Sequence, residues 1–373
     1  FSNIILFNLI FNKKNYKENK LINFISLLSL SFINIFFYRL AEHGTDRSGQ
    51  ILIFLIVILT IIILNYKKNQ SNSNSILNLF YLTLILSVLL ISLKPFYLIY
   101  LPIIFVVFSK KYFRDYLFQI IFSKITFYAS LFIFFMLFFN FINSGCLVYP
   151  AVFTCFENLY WSFPNETIND VNEWYELWSK AGATPNYIVE NQSEYISNFN
   201  WVNNWINNYF FNKVSDFLLG LLFLNFIFWL YFLYRKKKII NVKKIEFRLI
   251  YIYLIFCTIE WFFKHPALRY GGYQLFALLF FLPVAHIFYL RKINYKDFYK
   301  KSWIIIFIIT TIFLSRNISR IIKENNQYNY NPFISTKYIY DEKSYNRYIY
   351  YVEENYDKFK KIKIFGKNFL ITK

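Results

Sequence analysis

Read for polarity alone, the chain is a series of long apolar runs cut by short polar ones. The candidate spans are Leu21 to Tyr38, Ile51 to Asn65, Ile76 to Leu93, Phe96 to Phe108, Leu117 to Asn143, Val214 to Tyr234, Leu249 to Phe263, Gln274 to Leu290 and Trp303 to Ser315. Roughly 20 apolar helical residues cross a bilayer core, and several runs approach that length. The pattern predicts an all-α polytopic membrane protein with about nine full spans and a partial one, Phe1 to Asn12. The partial run is too short to cross and reads as the second half of a helix, so the chain is expected to be N-terminally truncated. Phe96 to Phe108 follows Lys94-Pro95 and contains Pro102, which predicts a broken or tilted helix. The transmembrane domain is drawn as residues 1–315 with a long loop, residues 144–213, inserted, and residues 316–373 form a polar tail. Within the tail, alternation from Lys361 to Ile371 around Gly366 predicts a hairpin, so the tail is expected to be a small α+β cap.

Composition changes this picture little. The chain is 57% hydrophobic and 24% aromatic, with 48 Phe and 33 Tyr, but Ile, Asn and Lys are also abundant and all five residue types have AT-rich codons. Aromatic content by itself is therefore no sign of sugar stacking.

Charge changes it more. A net charge of +20 suggests nucleic acid until the charges are placed. The polar loops Lys13 to Lys20, Tyr66 to Ser75, Ser109 to Tyr116, Arg235 to Arg248 and Arg291 to Ser302 hold 21 Lys and Arg, and the short loops alternating with them hold 5. That asymmetry is the positive-inside pattern, so the basicity reports topology and no nucleic-acid partner is expected. The basic set lies in the cytoplasm, and the long loop and the tail lie outside.

Three polar stretches fall on the outer side. Trp261 to Tyr273 places Lys264, His265, Pro266, Arg269, Gly271 and Gly272 between two apolar runs. Cations at a span end suit an anionic ligand, although Lys264 and Arg269 also suit simple snorkelling to the interface. Arg39 to Gln50 carries Glu42, His43, Asp46 and Arg47. On a helix Glu42 and Asp46 share a face, and such carboxylates can act as acid and base or hold a divalent cation; local pairing with Arg39 and Arg47 is the plainer reading. The long loop contains Cys146 and Cys155, a predicted disulfide if this side is oxidising, while Cys257 lies mid-span as a small core residue. The same loop is acidic. Asn169 to Ala181 reads as a helix capped by Asn169, and Trp174/Trp178 and Trp201/Trp205 read as an interfacial belt ahead of a sugar platform.

Glu42-His43-Gly44-Thr45-Asp46-Arg47, Ser144 to Pro150 with Phe153 to Phe156, and Trp261 to Tyr273 together resemble the polytopic glycosyltransferases of the GT-C type, in particular bacterial members, over most of the chain. The resemblance implies transfer of a sugar from a polyprenyl-phosphate donor to an acceptor on the outer face of a bacterial cytoplasmic membrane. It implies catalytic roles for Glu42, Asp46 and His43 and donor-phosphate binding by Arg47, Lys94, Lys264, His265, Arg269 and Tyr270, with a divalent cation as a possible cofactor. The family's usual first outer loop, with its catalytic acid, would precede Phe1. An O-antigen polymerase or ligase and a non-catalytic membrane protein remain open. A transporter is disfavoured because the spans are almost bare of charge.

Overall fold

A computed structural model of the chain describes residues 1–39, 44–66, 73–183, 189, 191–233, 245–328, 359–364 and 367–372. It divides into two compact units, Phe1–Arg316 and Asn317–Lys373. In the second unit β1 (Phe359–Ile364) and β2 (Lys367–Thr372) pair antiparallel, with Phe359 opposite Thr372.

The first unit is helical. α1 (Ser2–Phe11) is a short helix of its own that folds back on α2 (Lys13–Phe36), where the sequence predicts half of a straight span. Asn12 is extended and its side chain accepts from Asn15 N at 3.0 Å, capping α2. Buried Asn23 donates through Nδ2 to Leu9 O and Ile10 O at 2.9 and 2.8 Å, meeting carbonyls that the end of α1 leaves open.

α3 (Asp46–Leu64) is the most enclosed helix, and α4 (Ser73–Leu93) packs beside it. Pro95 ends the α4 path, because the residue before a proline is driven to extended backbone, and Lys94 has φ −156° and ψ 129°. From Pro95 to Ser109 the chain alternates 3₁₀ and α turns. This segment still runs the length of α3, since Lys94 meets Asp46 at its start and Tyr112 Oη donates to Ile63 O, 2.8 Å away, at its finish.

The expected span Leu117 to Asn143 is split at Ser123, whose Oγ caps α5 (Lys124–Ser144) by accepting from Thr126 N at 3.1 Å. Cys146 and Cys155 form a disulfide directly after α5. α6 (Asn165–Lys180) begins four residues before the expected Asn169, behind Pro164, with Glu166 in its first turn. A carboxylate there is favoured by the helix dipole, and Asn169 is interior, not a cap. α7 (Val202–Leu233) corrects the boundary of the inserted loop: it starts twelve residues before Val214 and passes through a π-helical stretch, Ile206–Val214. α8 (Arg248–Lys264), α9 (Gly272–Tyr289) and the part of α10 (Tyr295–Tyr328) up to Arg316 complete the unit.

Among the described residues seven helices are long and apolar enough to cross a membrane: α2, α3, α4, α5, α7, α9 and α10. Two of the nine expected spans are therefore not long regular helices: Phe96 to Phe108 is the broken segment, and α8 has 17 residues. Phenylalanine supplies much of the packing. Phe24 of α2 meets Phe288 of α9 at 4.7 Å between ring centroids, and Phe32 of α2 meets Phe54 of α3 at 5.4 Å. Aromatic pairs of this kind add to burial itself, so part of the Phe excess is core material, while Phe134, Phe135 and Phe139 of α5 are exposed. α3 and α8 run antiparallel. Asn65, just past α3, exchanges two 2.9 Å hydrogen bonds with the backbone of Glu246, just before α8, while Asp46 opening α3 meets Arg269 beyond α8. These contacts define an Asp46 end and a Glu246 end of the bundle.

Candidate functional site

Three breaks in the helices bring charge to the Asp46 end. Asp46 is the first residue of α3, where a carboxylate is favoured by the helix N-terminus. Lys94 stands at the proline break after α4, and Arg269 on a 3₁₀ turn, Leu268–Tyr270, between α8 and α9. The Asp46 side chain is 2% exposed. Lys94 Nζ pairs with Oδ1, while Arg269 reaches Oδ2 through Nη2 at 3.1 Å and Nε at 3.2 Å. Both carboxylate oxygens are thus engaged, and one negative charge meets two positive ones. Lys94 and Arg269 are 34% and 33% exposed, and both line a cavity at this end. Trp178 and Tyr270 flank the guanidinium with centroids 5.2 and 5.3 Å from Cζ, a cation–π arrangement.

The backbone that carries Arg269 is held at four successive residues. Trp205 Nε1 donates to Pro266 O and Trp261 Nε1 to Ala267 O, both at 2.9 Å. Leu268 N donates to Tyr209 Oη at 2.9 Å, and Gln50 Nε2 donates to Arg269 O at 2.7 Å. Gly271 leaves this turn at φ 122°, a region that side chains rarely adopt. On the α3 side, Tyr97 Oη donates to Asp46 O at 2.9 Å. Tyr97 lies flat against α3 because Gly49 has no side chain: a Cβ there would sit 2.3 Å from Tyr97 Cε2. Trp201 and Trp205 are accordingly neither an interfacial belt nor a sugar platform. Both are buried, and Trp205 anchors the Arg269 turn.

Asp46, Lys94, Phe96, His265, Arg269 and Tyr270 line a cavity of about 520 Å³, closed on another side by Val148–Ala151 from the disulfide loop and by Asn172 and Tyr175 of α6. Asn172 Nδ2 donates to Pro150 O at 2.7 Å, fixing that loop to α6. Every residue of this cavity lies between positions 46 and 270. A family profile described as Domain of unknown function (DUF8201) matches residues 1–276. The chain belongs to this family. The DUF8201 match therefore takes in the whole cavity and stops within α9. No curated protein and no solved structure matches the chain.

Within this DUF8201 chain the sequence-predicted residues separate into three groups. Asp46, Lys94, His265, Arg269 and Tyr270 line the cavity together. Arg47 and Lys264 are not among its lining residues. Arg47 Nη1 donates to Phe36 O at 2.9 Å with its guanidinium over Phe37 and Tyr273, and Lys264, 61% exposed, turns to Glu176 at 3.7 Å. Glu42 and His43 lie outside the described residues. Among the described residues no cluster of three His, Cys, Asp or Glu side chains is arranged to hold a metal ion. Burial, chiefly, drives the pKa of His265 down to about 4, so the imidazole is neutral at pH 7. Burial pushes Tyr270 up to about 12 and keeps its phenol protonated as a donor.

Tyr97, Gln50 and Ser179 support the cavity and were not singled out from the sequence, and Trp178 and Trp205, read there as a belt, pack at the Arg269 turn. Only Trp178 and Trp205 carried a signal, their four-residue spacing with a second Trp.

Proposed function

We propose that the chain is a GT-C-like glycosyltransferase that moves a sugar from a polyprenyl-phosphate donor to an acceptor at the outer face of the cytoplasmic membrane. The observation that carries this reading is the convergence of Lys94 and Arg269 on one cavity, where buried Asp46 offsets only one of their two charges. A residual positive charge with guanidinium and ammonium donors suits a phosphate, because charge-assisted N–H···O bonds to such oxygens are short and strong. In the transfer, the sugar–phosphate bond breaks and charge grows on the leaving phosphate. Fixed cations lower that barrier without needing to reorganise. The turn that carries Arg269 is pinned as such preorganisation requires.

In this reading the seven long apolar helices, α8 and the broken Pro95–Ser109 segment each cross once, nine crossings in all. On that count the basic loops would share the Glu246 end and the Asp46 end would face outside, a reading that the positive-inside pattern supports and that the Cys146–Cys155 disulfide suits in an oxidising compartment. With Asp46 held on both oxygens, it serves this site as the anchor of the two cations.

The test is a comparison of cells carrying full-length wild type, Arg269→Ala and Lys94→Ala at matched membrane levels. Loss of one surface glycan, with accumulation of its polyprenyl-linked precursor, is the expected result. An accumulated precursor carrying one complete repeat unit would move the reading to an O-antigen polymerase and a polymer-sized one to a ligase, whereas a carrier bearing the single untransferred sugar fits the transferase. Unchanged glycans in both variants would remove the transferase reading.

A further inference from the structure

With both oxygens of Asp46 occupied, the cavity needs another group to take a proton from an incoming hydroxyl. His265 stands on its wall between Phe96 and Tyr270, with ring centroids 6.0 and 5.7 Å away. Its Nδ1 is 3.4 Å from the Oγ of Ser179, a fully buried residue of α6. The hydroxyl of Ser179 has one proton, and that proton is already given to Tyr175 O at 2.6 Å. Toward the imidazole Ser179 can therefore act only as an acceptor. It follows that Nδ1 carries the ring proton and that Nε2 is left with its lone pair. Among the described residues no side chain or backbone group hydrogen-bonds Nε2, and this nitrogen is not among the sealed polar atoms that lack partners.

We infer that His265 Nε2 is the proton acceptor of this cavity and that Ser179 and Tyr175 O set its tautomer. The inference rests on the sugar-transfer reading and deepens it by assigning the base. In the step, the lone pair of Nε2 takes the proton of an acceptor hydroxyl. The hydroxyl oxygen forms the new bond to the anomeric carbon as the bond from that carbon to the phosphate oxygen breaks. That bonding pair leaves with the polyprenyl phosphate, whose added negative charge Lys94 and Arg269 offset. The proton on the imidazolium then passes to water or to the departing phosphate, and the neutral base is restored. A base oriented by a third group through its other ring nitrogen is a recurring arrangement, because the orienting bond fixes both tautomer and ring position.

The groups that bear on His265 come from every side. Glu176 and Lys180 belong to α6 and Lys264 to α8; Tyr270 and Arg269 follow on its own turn, and Asp46 and Lys94 face it across the cavity. Burial keeps the ring neutral down to a pH of about 4, so Nε2 is available throughout the neutral range.

The test uses native membranes containing the full-length protein, with their own polyprenyl-linked sugars as donors and release of polyprenyl phosphate as the readout. Four proteins are compared: wild type, His265→Gln, Ser179→Ala and Arg269→Ala. Loss of a general base costs about a hundredfold or more, so His265→Gln should lose at least that in rate. Ser179→Ala should lose less. The wild-type rate should be flat above pH 5 and fall as the ring protonates near pH 4. Independently of turnover, nitrogen-15 NMR of histidine-labelled wild-type protein should place the proton of His265 on Nδ1. An Nε2-protonated ring, or His265→Gln retaining wild-type rate while Arg269→Ala loses it, overturns the assignment of the base. Full activity in both His265→Gln and Arg269→Ala overturns the transferase reading, and this inference with it.

Discussion

The two ends of α3 lie about 28 Å apart by helix rise, and they handle charge in opposite ways. At the Asp46 end a carboxylate that is 2% exposed is shared by two cations from distant breaks in the chain. At the Glu246 end the corresponding pair is Lys110 with Glu246, the latter 52% exposed, and Lys20 meets no carboxylate among the described residues but donates to the backbone carbonyl of Arg291 and lies over the Tyr289 ring. The larger cavity is at the Glu246 end, about 780 Å³ lined by Leu64, Val106, Glu246, Arg248 and His286 among others, against about 520 Å³ at the Asp46 end. Size does not mark the site. Water screens an exposed pair, whereas a buried carboxylate keeps its cations in fixed positions and ready for a ligand.

Substitution at the two ends should reproduce this contrast. Asp46→Ala is expected to have the largest effect on stability. Stripping one partner from a buried ion pair costs about 3–5 kcal/mol, and the partial exposure of Lys94 and Arg269 puts the expected loss near the low end, about 3 kcal/mol. Thermal unfolding of the full chain in lipid nanodiscs measures it, and a loss within the scatter of wild type would contradict the buried-anchor account. Next comes the disulfide. Replacing Cys146 and Cys155 by Ser releases a short loop, with an expected cost of roughly 2 kcal/mol. Its effect should concentrate on the Val148–Ala151 wall, read as faster hydrogen exchange there than at the Arg269 turn. Glu246→Gln, the matching change at the other end, should cost below about 1 kcal/mol, as exposed pairs do. Smallest of all, Lys264→Ala should leave both stability and glycan output near wild type, because that side chain is 61% exposed and points to Glu176.

Much of the fold was legible because lipid imposes a simple rule: seven apolar runs became long helices. The errors have local causes. The broken turns from Pro95 to Ser109 are not among them: Pro95 and Pro102 remove backbone donors, and a broken helix is what the sequence predicts there. Asn23 answers the carbonyls at the end of α1 from eleven residues beyond the break at Asn12, a contact that no local pattern announces. The start of α7 was hidden by its Asn and Trp content, which reads as loop until Trp201 and Trp205 are found buried. The cavity was half legible. Asp46, Lys94 and Arg269 stood out as charges at the edges of apolar runs. Their partners did not: Gln50 meets Arg269 across 219 positions and Ser179 meets His265 across 86, separations at which a single sequence has no pattern to read.

The fit of Tyr97 against Gly49 also has a consequence for inheritance. Tyr97 is 1% exposed and its ring stands against position 49, so an added methyl there is best matched by a smaller residue at 97. The two positions, 48 apart in the chain, should therefore drift through the DUF8201 lineage as a couple. Descendants that gain alanine at the first are expected to have given up the aromatic ring at the second, and with it the hydroxyl that steadies Asp46.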